Sequence, residues 1–398
     1  MHPSSKCRRY ASRRLLSIAI LLTIALPILH PAPIGAFDPL SPPDVTARAV
    51  FSIDVTANVV LYQKNADEPL PPASTTKIAT ALVVLERVAD LNEPIEITTA
   101  DMVDQENESH MGVEVGEIWT VEDLLYGLMI PSGNDAALAL ARRVGGQINA
   151  DDPVGAFVGE MNAVAEAMGL QQTQFTNPVG LADDPDHYTS ARDLAALAAR
   201  LMEYDLIRQI VREKSFTVTS DGPEPRELPL VSTNKLLGRF DIHGLKTGST
   251  GIAGGCLVIA NWAGDNNRVI TVALGSAIDY STRNPETGEL DVDQRWADME
   301  SMLGAMADDY RWVAPSEADQ VPGLHEELAA WQVELSNPAA IVLPASGDGE
   351  VAYQLRLGPP GEPESQVGSV LFFVGSEQIA ELPVFQSAVA QATDDDQG

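Results

Sequence analysis

Apolar and polar positions alternate with a period of two across residues 48–62, on either side of Thr56-Ala57-Asn58. That pattern predicts a β-hairpin. Pro69, Pro71 and Pro72 then exclude regular structure as far as Ser74. Over 77–88 the apolar residues recur at helical spacing. The segment 120–146 reads as two helices, with Thr120 and Asp123 as a capping pair and Pro131-Ser132-Gly133 as the break. Further amphipathic helices are expected over 154–168 and 190–212. Strands are expected at 243–250, 256–260 and 269–274, and a closing helix over 296–306.

After Trp312 the pattern changes. Pro315, Pro322, Pro338, Pro344, Pro359, Pro360 and Pro363 punctuate short β-type runs at 340–343, 351–357 and 367–374. This predicts a large domain over 37–312, mixing helices and strands (α/β, more strictly α+β). A small all-β domain over 315–385 and an acidic tail over 386–398, with Asp394-Asp395-Asp396, follow it. There are no internal repeats.

The first residues read as a targeting segment. Lys6, Arg8, Arg9, Arg13 and Arg14 precede an apolar run over 15–29, and Ile34-Gly35-Ala36 offers small residues for cleavage. The run is short for a membrane span of ~20 residues. A signal peptide over 1–36 is therefore expected, with an uncleaved anchor as the alternative. Ser12-Arg13-Arg14 hints at a twin-arginine route. Export to the periplasm or cell envelope follows, and no other segment could span a bilayer. Removing 1–36 also removes Cys7, leaving Cys256 as the one thiol and no intrachain disulfide.

The 398 residues are 45% hydrophobic, enough for two cores, and carry a formal charge of −32. That charge excludes sequence-independent binding to nucleic acid. The six lysines are few against the acid excess, which suits a salt-rich envelope where screening offsets self-repulsion.

Three short motifs stand out against this acidic background. Ser74-Thr75-Thr76-Lys77 begins a predicted helix. There a serine hydroxyl meets the positive end of the macrodipole, and a lysine three residues on returns to the same face. A lysine made neutral by burial or by a neighbouring cation can take the serine proton. Ser132-Gly133-Asn134 lies on a helix–helix connection, where a hydroxyl and a carboxamide can face one cleft. Lys246-Thr247-Gly248 lies on a predicted strand. A cation beside a hydroxyl suits a substrate carboxylate, and the glycine admits a substrate backbone. Singly, each motif is compatible with an ordinary cap, turn or strand edge. Together and in this order they match the set shared by class A β-lactamases and penicillin-binding proteins.

Over residues 49–306 the chain resembles the serine D-alanyl-D-alanine carboxypeptidases, the low-molecular-mass penicillin-binding proteins. Besides the three motifs, the likeness rests on Pro131-Ser132-Gly133-Asn134-Asp135-Ala136-Ala137, Phe175-Thr176-Asn177-Pro178-Val179-Gly180-Leu181 and His187-Tyr188-Thr189-Ser190-Ala191-Arg192-Asp193. The resemblance implies an antiparallel sheet flanked by helices, with a helical subdomain, as in β-lactamases and D,D-peptidases. It implies Ser74 as nucleophile, Lys77 as general base, Ser132 in the proton relay and Asn134 in the cleft. It further implies Lys246, Thr247, Gly248 and Ser249 as substrate-binding, and an oxyanion hole from the Ser74 and Ser249 N–H groups. An arginine that assists carboxylate recognition maps to Arg295, with Arg283 as runner-up. Substrates would be peptidoglycan stem peptides, and β-lactams would be covalent inhibitors.

The chain departs from the family in a longer, more acidic connection over 280–294, in Ser249 after K-T-G, and in a C-terminal domain of only loose similarity. The family's amphipathic anchor helix is missing. Residues 386–398 are too short and acidic for an anionic membrane, so at most weak membrane association is expected. A D,D-endopeptidase uses the same residues and is the alternative. A class A-like β-lactamase is less favoured, because no E-x-x-L-N follows Asn134. No cofactor is expected. His110, His187, His243 and His325 lack metal-ligand spacing, so no metal site is expected. His187 reads as structural, Cys256 as a buried inert thiol, and the five tryptophans as core or junction residues.

Overall fold

The computed structural model describes residues 38–387 apart from 182–183, 223, 265–266, 283, 285–289, 316, 318–319, 336–339 and 347–349. The predicted signal peptide, Arg283 and most of the acidic tail lie outside the described residues.

A five-stranded antiparallel sheet runs in the order Val59–Lys64, Ala49–Asp54, Asn267–Ser276, Gly254–Ala263, Ile242–Thr250. The hairpin and the three later strands fall where the alternation placed them. Each middle strand is apolar on both faces, because both faces are covered. Phe51, Val258, Ala260, Ile270 and Val272 pack into the larger core, with the helices that follow the hairpin. Val50, Leu257, Ile259, Val269 and Ala273 pack into a second core with Met299, Met302, Leu303 and Met306.

The larger core is helical. It is built from α1 (Lys77–Arg87), α2 (Val121–Met129), α3 (Asn134–Gly146), α4 (Pro153–Ala167) and α5 (Ala191–Leu201). The expected cap of α2 is present: the Asp123 N–H donates to Thr120 Oγ1 at 3.1 Å, and the Thr120 N–H donates back to Asp123 Oδ2 at 3.3 Å. The break before α3 falls at the proline and glycine that predicted it.

The single helix expected over 190–212 is instead two, α5 and α6 (Asp205–Ile210). The carbonyl of Met202 accepts from Arg208 Nη1 at 2.7 Å and from Arg268 Nη1 at 3.0 Å. The Glu203 carbonyl also accepts from Arg208 Nη1, at 2.7 Å. Carbonyls at the end of α5 are thus satisfied by side chains, and the helix stops.

On the other face of the sheet lies α7 (Arg295–Asp309). Asp298 of α7 is buried and accepts from the Thr46 N–H at 2.9 Å, the Thr46 hydroxyl at 2.8 Å and the Ala47 N–H at 3.0 Å. These bonds tie the closing helix to the segment leading into the hairpin.

The chain leaves α7 directly into the strand Tyr310–Val313, which pairs with Ile341–Pro344. A four-stranded antiparallel sheet follows, in the order Val333–Leu335, Glu377–Gln386, Gln366–Val374, Val351–Leu357. One short helix accompanies it, α8 (Leu324–Ala330), whose Leu324 and Leu328 pack with Val370, Phe372 and Val384. Asn267 joins this region to the central sheet. Its Nδ2 donates to Asp54 Oδ2 at 2.7 Å and to the Ala340 carbonyl at 2.9 Å, while its Oδ1 accepts from the Ala340 N–H at 2.7 Å. Among the described residues, no helix is long and apolar enough to cross a membrane.

Candidate active site

Ser74 sits in a single 3-10 turn, Ala73–Thr76, that runs straight into α1. Ala73 has φ +50°, a left-handed conformation that costs a non-glycine residue energy. Neighbours hold it there. Gly180 packs so closely that a Cβ on it would lie 1.9 Å from the Ala73 carbonyl oxygen. The Thr75 hydroxyl donates to the Pro72 carbonyl at 2.6 Å. Thr76 Oγ1 lies 2.8 Å from His187 Nε2, and His187 Nδ1 accepts from the Thr176 N–H at 3.0 Å. Burial pushes His187 down to about 4, so its ring is neutral, and with Nδ1 accepting, the proton sits on Nε2. His187 therefore braces the serine turn.

Lys77, one turn on, is fully buried. Its Nζ lies 3.1 Å from Ser74 Oγ, 2.6 Å from Asn134 Oδ1 and 2.8 Å from the Val179 carbonyl. Burial pushes the amine down to about 7, while Asp135 and Glu108 act in the opposite direction. A neutral amine has two N–H groups and one lone pair. With Asn134 and Val179 taking the N–H groups, the lone pair is left for the Ser74 hydroxyl.

Asn134 opens α3, and its Nδ2 donates to Glu108 Oε2 at 2.7 Å. Ser132, two residues earlier, has φ +67°. Its hydroxyl is buried and makes no hydrogen bond among the described residues. Gly133 between them is required by space, since a Cβ there would stand 2.9 Å from both the Gly127 carbonyl oxygen and the Met111 nitrogen.

The third wall is the edge strand of the sheet, Ile242–Thr250. Gly248 lies against the serine turn, and its neighbour Ser249 continues the same edge. Lys246 is buried, with Nζ donating to the Thr247 carbonyl at 3.0 Å. Burial first, then Lys77 and Arg295, hold its pKa well below the usual lysine value. The Thr247 hydroxyl lies 2.6 Å from that of Thr233. Arg295, at the start of α7, donates from Nη1 to the Gly248 carbonyl at 2.9 Å. It also pairs with Asp293, Nε to Oδ1 at 2.9 Å and Nη2 to Oδ2 at 2.7 Å.

The fold thus joins Ser74, Lys77 and Asn134 by hydrogen bonds, with Ser132 two residues from Asn134, and sets the strand carrying Lys246, Thr247 and Gly248, with Arg295 on the Gly248 carbonyl, against the same serine turn. Cys256 lies behind it, with its thiol 3.7 Å from the Pro71 carbonyl, and burial pushes that thiol up to about 11. Sequence reasoning missed Glu108, the Val179 carbonyl, Thr233 and Asp293. A backbone carbonyl has no residue signature, although Val179 lies in one of the family-like stretches. Glu108 is one acid among several over 101–108. Asp293 stands two residues before Arg295, and that spacing was the available signal.

A family profile described as D-alanyl-D-alanine carboxypeptidase matches residues 38–277. The chain is 34% identical over 238 residues to D-alanyl-D-alanine carboxypeptidase DacF of Bacillus subtilis, covering 58% of each. The match thus spans less than two thirds of that relative. The chain is 28% identical over 278 residues to a D-alanyl-D-alanine endopeptidase of Escherichia coli, covering 69% of this chain and 86% of the relative. Penicillin binding protein 5 from Haemophilus influenzae superposes with a TM-score of 0.64 at 25% identity, over 87% of this chain and 98% of that one.

Proposed function

The chain belongs to the D-alanyl-D-alanine carboxypeptidase family, and from that premise we propose that Ser74 removes the terminal D-alanine of peptidoglycan stem pentapeptides. The single observation carrying this reading is the buried Lys77 amine, lowered to about 7 and 3.1 Å from Ser74 Oγ. Such an amine is a base at neutral pH, where an ordinary lysine is an acid.

In this reading Ser74 Oγ attacks the carbonyl between the last two D-alanines, and its proton passes to Lys77 Nζ. The oxyanion is received by the backbone N–H groups of Ser74 and Ser249. The C–N bond breaks, and the departing D-alanine amine takes the proton back through Ser132. Water then attacks the Ser74 ester, again giving up a proton to Lys77. The shortened peptide leaves and the serine hydroxyl is restored. Lys246 and Thr247 hold the terminal carboxylate, and Arg295 supports them through the Gly248 carbonyl. A β-lactam acylates Ser74 by the same attack, but its leaving amine stays tethered.

The second reading, endopeptidase cleavage of cross-links, is favoured by the similarity to the E. coli endopeptidase. It needs the same acylation with a larger leaving amine. The basic and apolar leader over 1–36 supports work outside the cytoplasm, in the periplasm or cell envelope.

The test is D-alanine release from a pentapeptide ending in D-Ala-D-Ala, run beside Ser74→Ala. Release by the first alone supports the proposal. Release from neither, with cleavage of cross-linked peptide dimers by the unaltered chain alone, supports the endopeptidase reading.

A further inference from the structure

The three motifs leave Glu108 unaccounted for, yet it is joined to Lys77 by a continuous hydrogen-bonded chain. Glu108 Oε2 accepts from Asn134 Nδ2 at 2.7 Å, and Asn134 Oδ1 accepts from Lys77 Nζ at 2.6 Å. The carboxylate is half-buried, at the end of a loop fastened to α3. The Asn134 N–H donates to the Ser109 carbonyl at 2.9 Å. Asp135 accepts from the Met111 N–H at 2.8 Å and the Gly112 N–H at 2.8 Å. Glu108 is therefore held beside Asn134 by the backbone on its C-terminal side.

A carboxamide has one oxygen and two N–H groups. Without a fixed partner, the Asn134 amide could turn its NH2 toward Lys77 and lose the contact. An acceptor held on the far side by the loop disfavours that alternative. It also leaves Asn134 one N–H for a substrate carbonyl. We propose that Glu108 is a positioning residue: its carboxylate fixes the orientation of the Asn134 amide, and its charge sets the lower pH limit at which Ser74 is acylated. This inference rests on the Ser74–Lys77 chemistry proposed above.

The charge effect follows from what surrounds Lys77. From α3 comes Asp135, from the loop Glu108, and from the edge strand Lys246. The two carboxylates favour the protonated amine, while burial favours the neutral one. Removing the Glu108 charge tips this balance toward the neutral base, so the acidic limb of acylation moves to lower pH.

The two roles separate by substitution. Glu108→Gln keeps an acceptor for Asn134 and loses the charge. Glu108→Ala loses both. The experiment is second-order acylation of the full chain by a fluorescent penicillin from pH 5 to 9. For Glu108→Gln the plateau rate is retained and the acidic limb falls by about half to one pH unit. For Glu108→Ala the limb moves in the same direction and the plateau drops by about tenfold, as expected for one lost orienting hydrogen bond. Thermal melting checks that both variants are folded. Profiles of Glu108→Gln and the unaltered chain that coincide would overturn the inference, as would equal plateaus for the Ala and Gln variants. No acylation of the unaltered chain at any pH would instead overturn the serine-peptidase reading and this inference with it.

Discussion

Gly248 lies so near Ser74 that a Cβ built on it would stand 2.8 Å from the Ser74 backbone nitrogen. That nitrogen is the one proposed to receive the oxyanion. Among the twenty residues only glycine fits there without moving the edge strand away from the serine turn. Gly248→Ala is expected to fold, because its displacement is confined to a sheet edge. Its acylation rate should fall by ~10²-fold, the cost of misplacing a reacting group by about 1 Å. Stopped-flow acylation by a reporter penicillin measures it.

The lowered Lys77 gives the pH dependence its sign. The neutral amine is the base, so acylation should rise as pH increases through about 7 and level off above it. An ordinary lysine would place that rise near pH 10. The pH profile of kcat/KM for D-alanine release, measured at constant ionic strength, tests this.

Lys246 is buried, and its amine donates to the carbonyl of its own neighbour, Thr247. An amine buried this way, with its charged form disfavoured, lowers stability and is retained for what it binds. Lys246→Met fills similar volume without the charge. It should raise the melting temperature by roughly 2–4 °C per kcal/mol recovered, while acylation falls by ~10²-fold. Calorimetry beside a penicillin-binding assay reads both effects.

Asn267 makes three side-chain hydrogen bonds where the central sheet meets the C-terminal region. Asn267→Ala takes one hydrogen bond from buried Asp54, which keeps those from Trp312 Nε1 and the Thr56 and Ala57 N–H groups, and leaves the Ala340 N–H and carbonyl without this partner, so it should cost about 2–4 kcal/mol. The loss is read as a lower urea midpoint. Acylation below the transition should be unchanged, because Asn267 lies outside the cleft.

The cleft cations sit in a chain of formal charge −32. At low ionic strength the overall field opposes an anionic substrate, so moderate salt should raise kcat/KM before viscosity and competition lower it. Rates that only fall as salt is added would contradict this.

Much of the architecture was legible in the alternation and its breaks. The hairpin before Ser74, the capped start of α2 and the Pro131–Gly133 break follow from local residue chemistry, and they appear where that chemistry put them. The split between α5 and α6 was not legible. It rests partly on Arg268, far along the chain, reaching the Met202 carbonyl that Arg208 also satisfies. The helix α8 was hidden by flanking prolines and short apolar runs. In the cleft, the motif residues announced themselves by spacing. Glu108 and Thr233 did not, because their contacts with Asn134 and Thr247 are made by the fold. Hydrogen-bond partners brought together in this way leave no periodic trace.

The central claim is that Ser74 is the nucleophile activated by Lys77. The most direct measurement is the mass of the full chain after brief exposure to penicillin at pH 8, with the adduct located by peptide mapping. The account predicts one adduct, on Ser74, absent in Ser74→Ala and formed far more slowly in Lys77→Ala. An adduct on another residue, or one formed equally fast without Lys77, would contradict it.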